Sequence, residues 1–315
     1  MAASRKLHPD ELDIDVPLVR RMVAEHFPRW AGLPVEPVEP TGTSNAMYRL
    51  GTELVVRVPR IPGAVEEIAK EDLWLRRLAP RLPVPVPVPL AVGGPVDGCP
   101  WPWSVLRWLD GTTPVPGRIA EPGLLARDLA GFVTAMRGID PAGAPAAHRG
   151  ESLADRDAAT RTAIAAVPDL VDAPAATAAW EHALAAPAPT GPPVWLHGDL
   201  QPGNLLVDRA GRLGAVIDFG CAGLGEPAVD LIPAWYVLPA AARPSFRAAA
   251  APDDAAWDRA RGWALSVALL EAAYYRHSDA RMTAIARHVV AEVLADHAQG
   301  RAPASRTRRE LSDTP

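Results

Sequence analysis

Lysine is almost missing from this chain: Lys6 and Lys70 are the only two in 315 residues, although Lys and Arg together number 32. Any strand or loop that needs a cation must therefore use arginine. The Ala- and Arg-rich composition reads as codon bias rather than mechanism. Cysteine is equally scarce. Cys99 and Cys221 do not make a disulfide framework, and there is no C-x-x-C pair. No apolar run approaches twenty residues, so no membrane span is expected. Residues 1–8 lack the apolar stretch of a secretory signal, which leaves the cytoplasm as the expected compartment. A net charge of −5 with pI near 5.9 argues against nucleic-acid binding and is compatible with a cationic small molecule. No internal repeat is present. The 49% apolar and 22% charged fractions belong to the soluble globular class, and the length suits two lobes with a substantial core.

The stretch H-G-D-L-Q-P-G-N at 197–204, followed by I-D-F-G at 217–220, carries most of the chemistry. Asn204 lies five residues after Asp199, and Asp218 lies nineteen after it. Protein kinases place their base and a Mg²⁺-binding Asn at the same D-x-x-x-x-N spacing, and D-F-G supplies the second metal ligand. Asp199 is the candidate catalytic base, aimed at an acceptor hydroxyl. Asn204 and Asp218 offer hard oxygens to Mg²⁺. His197 is expected to pack under the turn and hold backbone groups. The apolar runs 205–207 and 213–217 flank a polar turn near Ala210-Gly211, which predicts a β-hairpin. The hairpin would bring Asn204 and Asp218 together. These features predict transfer of the terminal phosphoryl group of a nucleoside triphosphate.

Only eleven residues separate Asp218 from Asp230, and there is no A-P-E. A protein kinase needs a long segment there to lay out a peptide, so a small acceptor is expected.

Upstream, residues 35–60 read as strands around the turn T-G-T-S-N at 41–45, where Thr43, Ser44 and Asn45 could cap phosphate oxygens. In the strand L-V-V-R-V at 54–58, Val56 and Val58 share one face, and Val55 and Arg57 the other. Residues 65–78 have the spacing of an amphipathic helix. Residues 82–89 are extended, since their prolines exclude a helix. The strand 103–107 is the expected hinge. Backbone at Ser104 and Leu106 would meet a purine edge there, and Trp101, Trp103 and Trp108 would pack around it. Helices are expected over 122–138, 155–166, 175–184, 231–238, 257–276 and 280–298. Acidic and aromatic residues near this last group are candidate acceptor contacts: Glu226, Trp235, Tyr236, Glu271, Tyr274 and Tyr275. Glu271 stands out because it follows an apolar run, where a carboxylate needs a partner.

These motifs resemble the aminoglycoside phosphotransferase family, kinase-like enzymes that phosphorylate small molecules. The resemblance runs from about Ile14 to His297 and rests on H-G-D-L-Q-P-G-N-L-L-V, I-D-F-G and G-E-P-A-V-D-L. T-G-T-S-N at 41–45, V-V-R-V-P-R at 55–60, Lys70-Glu71 and W-P-W-S-V-L-R-W at 101–108 add to it. It implies an α+β, protein-kinase-like bilobal fold, with a small antiparallel-sheet N-lobe over residues 1–107 and a larger, mainly helical C-lobe over 108–300. Residues 301–315 are expected to form a disordered tail. The resemblance further implies that Asp230 braces the backbone of the catalytic loop. It implies that Glu71, rather than Glu66 or Glu67, pairs with the cation of the 54–58 strand. Arg57 stands where many members carry Lys, a departure that bears on nucleotide position. The implied partners are Mg²⁺, ATP or GTP as donor, and the hydroxyl of an aminoglycoside or other sugar-bearing antibiotic. A metabolic kinase for a sugar or amino alcohol and an inactive nucleotide-binding scaffold are the alternatives.

Overall fold

The computed structural model describes residues 11–39 and 44–301. Thr43, most of the 41–45 turn and residues 302–315 of the expected tail lie outside them. Five strands form one antiparallel sheet in the order β1-β2-β3-β5-β4: β1 (Val35–Pro37), β2 (Asn45–Leu50), β3 (Leu54–Pro59), β4 (Pro89–Gly93) and β5 (Trp103–Arg107). Side chains alternate across β3, as its sequence predicts. Val56 and Val58 join Leu50, Trp103 and Val105 in one core, against which α1 (Val16–His26) packs Leu18, Val19, Met22 and Val23. Asp15 caps this helix by accepting from Leu18 N at 2.8 Å. Arg57 points to the other face, toward Glu71 of α2 (Val65–Leu78).

The second lobe is mainly helical. Its helices are α3 (Pro122–Arg137), α4 (Asp157–Ala166), α5 (Ala173–Ala185), α6 (Pro233–Tyr236), α7 (Arg243–Ala250), α8 (Asp254–Tyr275) and α9 (Ala280–Arg301). Asp172 and Asp253 cap α5 and α8 through Ala175 N and Ala256 N. Two antiparallel pairs carry the site: β6 (Val194–Leu196) with β9 (Gly223–Gly225), and β7 (Leu205–Val207) with β8 (Leu213–Val216). The second pair is the predicted hairpin, with Gly211 at φ 76° in its turn.

The helix expected over 231–238 is broken. A 3₁₀ stretch, Pro227–Leu231, leads into the four-residue α6. Pro233 lacks an N–H and stands at the first position of α6, and Pro239, three residues after Tyr236, cannot carry that helix on. The lobes share α2, because Leu75 and Leu78 pack into the same core as Trp195 and Phe219.

Candidate active site

The catalytic loop follows β6 and is held from below. Asp230, fully buried, accepts from His197 N at 2.7 Å and from Gly198 N at 2.8 Å. Burial pushes its carboxyl up, opposed by His197 and those two N–H donors. His197 is buried beside Phe219, with ring centroids 4.6 Å apart. Its Nε2 lies 3.1 Å from Ile217 O, and its Nδ1 accepts from Asp199 N at 3.2 Å. Gly198 has φ 81°, and a Cβ there would stand 2.9 Å from Cys221 O. Both the backbone angle and the close approach require glycine.

Asp199 then meets three side-chain donors. Arg149 Nη1 donates to Oδ1 at 2.6 Å, Gln201 Nε2 to Oδ1 at 3.0 Å, and Asn204 Nδ2 to Oδ2 at 2.8 Å. Asn204 Nδ2 also reaches Asp199 O at 2.8 Å. The hairpin joins its two ends through Ile217 N, which donates to Asn204 O at 2.9 Å. Asp218 follows at φ 63°, a left-handed conformation that few side chains other than Asp and Asn tolerate. Its carboxylate is 49% exposed.

Across the cleft, Arg57 is sunk among acidic groups. It donates to Glu71, to Glu67 Oε2 at 3.0 Å and to Asp218 Oδ1 at 3.5 Å. With its amide oxygen turned toward the guanidinium, Asn45 accepts from Nε at 3.2 Å and Nη2 at 2.9 Å. Burial works against the charge on Arg57, but Glu71, Asp218 and Glu67 outweigh it and hold the group protonated. Burial pushes Glu67 up to about 7, opposed by Arg57 and reinforced by Asp218 and Glu71. Glu71 also accepts from Phe219 N at 2.9 Å, so one carboxylate ties β3, α2 and the D-F-G turn together. Lys70 donates to Gly220 O. It acts as a tether between lobes, not as a substitute for Arg57.

On the acceptor side, Glu271 takes Gln201 Nε2 on one oxygen and Tyr236 Oη, at 3.0 Å, on the other. Burial and then Asp199 push it up to about 7, against the pull of Gln201, Arg149 and Tyr236. The other acceptor expectations need correction. Glu226 is buried in the C-lobe interior, with one oxygen on Arg259 and the other 3.3 Å from Trp263 Nε1. Trp235 is fully enclosed and packs against Trp257, with ring centroids 4.9 Å apart and the planes tilted by 45°. Tyr274 is 58% exposed and meets Tyr275 ring to ring, with centroids 4.8 Å apart.

The hinge expectation also changes. β5 lies between β3 and β4, so Ser104 and Leu106 are paired on both sides and their backbone is spent in the ladder. The next backbone donor is taken as well, since Trp108 N donates to Glu53 O at 2.7 Å. Trp108 is pinned there: Arg49 stacks over its ring at 3.8 Å, and its Nε1 donates to Asp110 at 3.0 Å. Arg149, Gln201 and Tyr236 reach the site, and of the three only Tyr236 is an expected acceptor contact. For Gln201, the faint signal was its place two residues after Asp199.

The donor set is compatible with Mg²⁺. Among the described residues, no cluster of three or more His, Cys, Asp or Glu forms a metal cage. Asn204 and Asp218 instead supply two hard oxygens at the ends of one hairpin. That suits an ion that keeps several waters and borrows phosphate oxygens rather than filling a protein cage.

A five-stranded antiparallel lobe, a helix paired to its third strand and a loop-hairpin-D-F-G unit define a kinase-like phosphotransferase fold. The chain belongs to the phosphotransferase enzyme family, whose model matches residues 36–263, and it is a phosphotransferase acting on hydroxyl groups. No curated protein sequence matches it. Among solved structures, it is similar to the GDP complex of aminoglycoside 2'-phosphotransferase-IIIa, with TM-score 0.72 and 20% identity over 90% of this chain and 100% of that one. It is also similar to macrolide 2'-phosphotransferase MphH from Brachybacterium faecium, with TM-score 0.58 and 25% identity over 88% and 97% of the two chains. ADP-bound aminoglycoside phosphotransferase APH(2'')-Ib aligns with TM-score 0.58 and 16% identity over 89% and 97%.

Proposed function

We propose that this protein is a small-molecule kinase. It transfers the γ-phosphoryl group of ATP or GTP to a hydroxyl of an aminoglycoside or other sugar-bearing antibiotic. The observation that carries this reading is Asp199, held in one cleft by Asn204 and Arg149, with Asp218 across the hairpin. Similar structures hold GDP with kanamycin, and streptomycin with ATP. The short course from Asp218 to Asp230 leaves no platform for a peptide.

In the proposed reaction, the acceptor oxygen forms a bond to the γ-phosphorus while the bond to the β–γ bridging oxygen breaks. The electron pair leaves on the nucleoside diphosphate. The hydroxyl proton passes to the Asp199 carboxylate. Asn204 and Asp218 would hold Mg²⁺, which when bound neutralises phosphate charge. Arg57 and Asn45 would face the phosphates from β3 and β2. Arg57 keeps its pairing with Glu71, which favours a working kinase over an inert scaffold.

The test is Mg²⁺-dependent consumption of ATP and GTP against aminoglycosides, macrolides, nucleoside antibiotics, sugars and amino alcohols. Asp199→Asn should lose about 10²- to 10⁴-fold in kcat and still bind nucleotide. Turnover of a sugar or amino alcohol alone would move the acceptor to metabolism. Turnover that survives the substitution would remove Asp199 from the mechanism.

A further inference from the structure

Among the described residues, three cations stand near the cleft, and two already have their partners in the protein. Arg57 faces Glu71, Glu67 and Asp218, so its charge is matched by carboxylates. Lys70 is committed to Gly220 O. Arg149 differs. Its Nη1 alone makes the protein contacts, to Gly198 O at 2.7 Å and to Asp199 Oδ1 at 2.6 Å. Nε and Nη2 meet no protein acceptor among the described residues, and neither is sealed from solvent. The side chain is only 16% exposed, so that open edge belongs to a head otherwise enclosed beside the catalytic carboxylate. The neighbouring carboxylate, Glu271, is occupied by Gln201 and Tyr236.

The backbone around Arg149 is equally fixed. Residues 145–150 run along the free edge of β9, with Ala147 N donating to Leu224 O at 2.9 Å, Leu224 N to Pro145 O at 2.8 Å and His148 N to Cys221 O at 3.0 Å. The segment thus brings a cation from fifty positions upstream to the base. Two residues after Asp199, the catalytic loop itself offers the neutral Gln201.

We propose that Arg149 is a catalytic residue of the phosphotransfer put forward above: its open edge donates to the equatorial oxygens of the phosphoryl group in flight while Nη1 orients Asp199. Charge grows on those oxygens and on the leaving oxygen as the phosphorus changes partners. A preorganised cation there favours the transition state over bound nucleotide.

The experiment needs no knowledge of the acceptor. Calorimetry would measure binding of Mg·ADP and Mg·GDP, with and without fluoroaluminate as a mimic of the transferring group. Wild type, Arg149→Gln and Arg149→Lys would be compared. The wild type should bind the diphosphate more tightly with fluoroaluminate. Arg149→Gln should bind the diphosphate alone within about 2-fold of wild type and lose about 10²-fold of the added tightening. Arg149→Lys should recover part of it. Equal tightening in all three proteins, or no tightening in the wild type, overturns the proposal. Equal weakening of the diphosphate with and without fluoroaluminate also overturns it, because that result describes a purely bracing side chain. Should the Gln variant not fold, the Lys variant decides by the same comparison. A wild type that binds neither diphosphate instead overturns the kinase reading on which the proposal rests.

Discussion

Glu271 shows how a single buried carboxyl joins stability to the site. Burial and the nearby Asp199 push it up to about 7, from an ordinary 4.5. A carboxyl raised on folding favours the folded protein while it is protonated. Its contribution is fully present below about 4.5 and is lost as pH rises through about 7. Glu67, also pushed up to about 7, contributes with the same sign. Glu271→Gln should therefore match wild type in chemical unfolding near pH 4 and exceed it by on the order of 2 kcal/mol near pH 8. An equal pH dependence in the two proteins would contradict this. A cationic acceptor beside Glu271 would favour the ionised form, so acceptor binding near pH 7 should release a proton.

Between elements, the decisive contact is that of β9 with residues 145–150. Gly223 lies so close to this segment that a Cβ would come 2.5 Å from the backbone carbon of Ala146. Backbone cannot yield as a flexible side chain does, so Gly223→Ala must push the segment off β9 and carry Arg149 with it. The expected cost is about 1–3 kcal/mol of stability. The kcat should fall by about 10²-fold, as expected for the loss of one cation aimed at the phosphoryl group. Urea unfolding and single-turnover phosphotransfer check both, and an unchanged kcat in a destabilised protein would separate the segment from the chemistry. The same scale explains the motif's legibility. Asn204 and Asp218 are fourteen positions apart but bound the two ends of one local hairpin, and the apolar runs of β7 and β8 announce it.

For the whole molecule, the two lobes are joined through α2. Leu75 and Leu78 lie in the C-lobe core, Glu71 receives Phe219 N at 2.9 Å, and Lys70 meets Gly220 O. A nucleotide in the cleft would add further links between the lobes, and every one of them is lost on unfolding. Saturating donor at about a hundred times its dissociation constant should stabilise the protein by about 2.7 kcal/mol. Thermal unfolding with ATP or GTP should therefore shift upward with Mg²⁺ and much less with a chelator. A shift independent of Mg²⁺ would remove Asn204 and Asp218 as metal ligands. No helix among the described residues is long and apolar enough to cross a membrane.

The parts whose geometry is local are legible along the chain. Asp199 and Asn204 share one loop, and the alternation along β3 puts Arg57 opposite Val56. The apolar stripe of α2 turns Glu71 inward with Ile68 and Leu75. Spacing along the chain is enough for such relations, because turn, strand and helix periods fix them. Long-range packing selects which distant side chains complete the site. Glu226 and Glu271 look alike in sequence, each an acidic residue close to apolar positions. Packing gave Glu226 to Arg259 in the interior and Glu271 to Gln201 beside Asp199. Ser104 and Leu106 had hinge-like neighbours, but only the strand order showed their backbone to be spent on both sides. Arg149 carries no local mark at all. Its place follows from the docking of residues 145–150 on β9, a contact between chain segments about seventy-five positions apart. Chain order does not encode a contact of that range, and it forms only once the surrounding core has set the two backbones side by side.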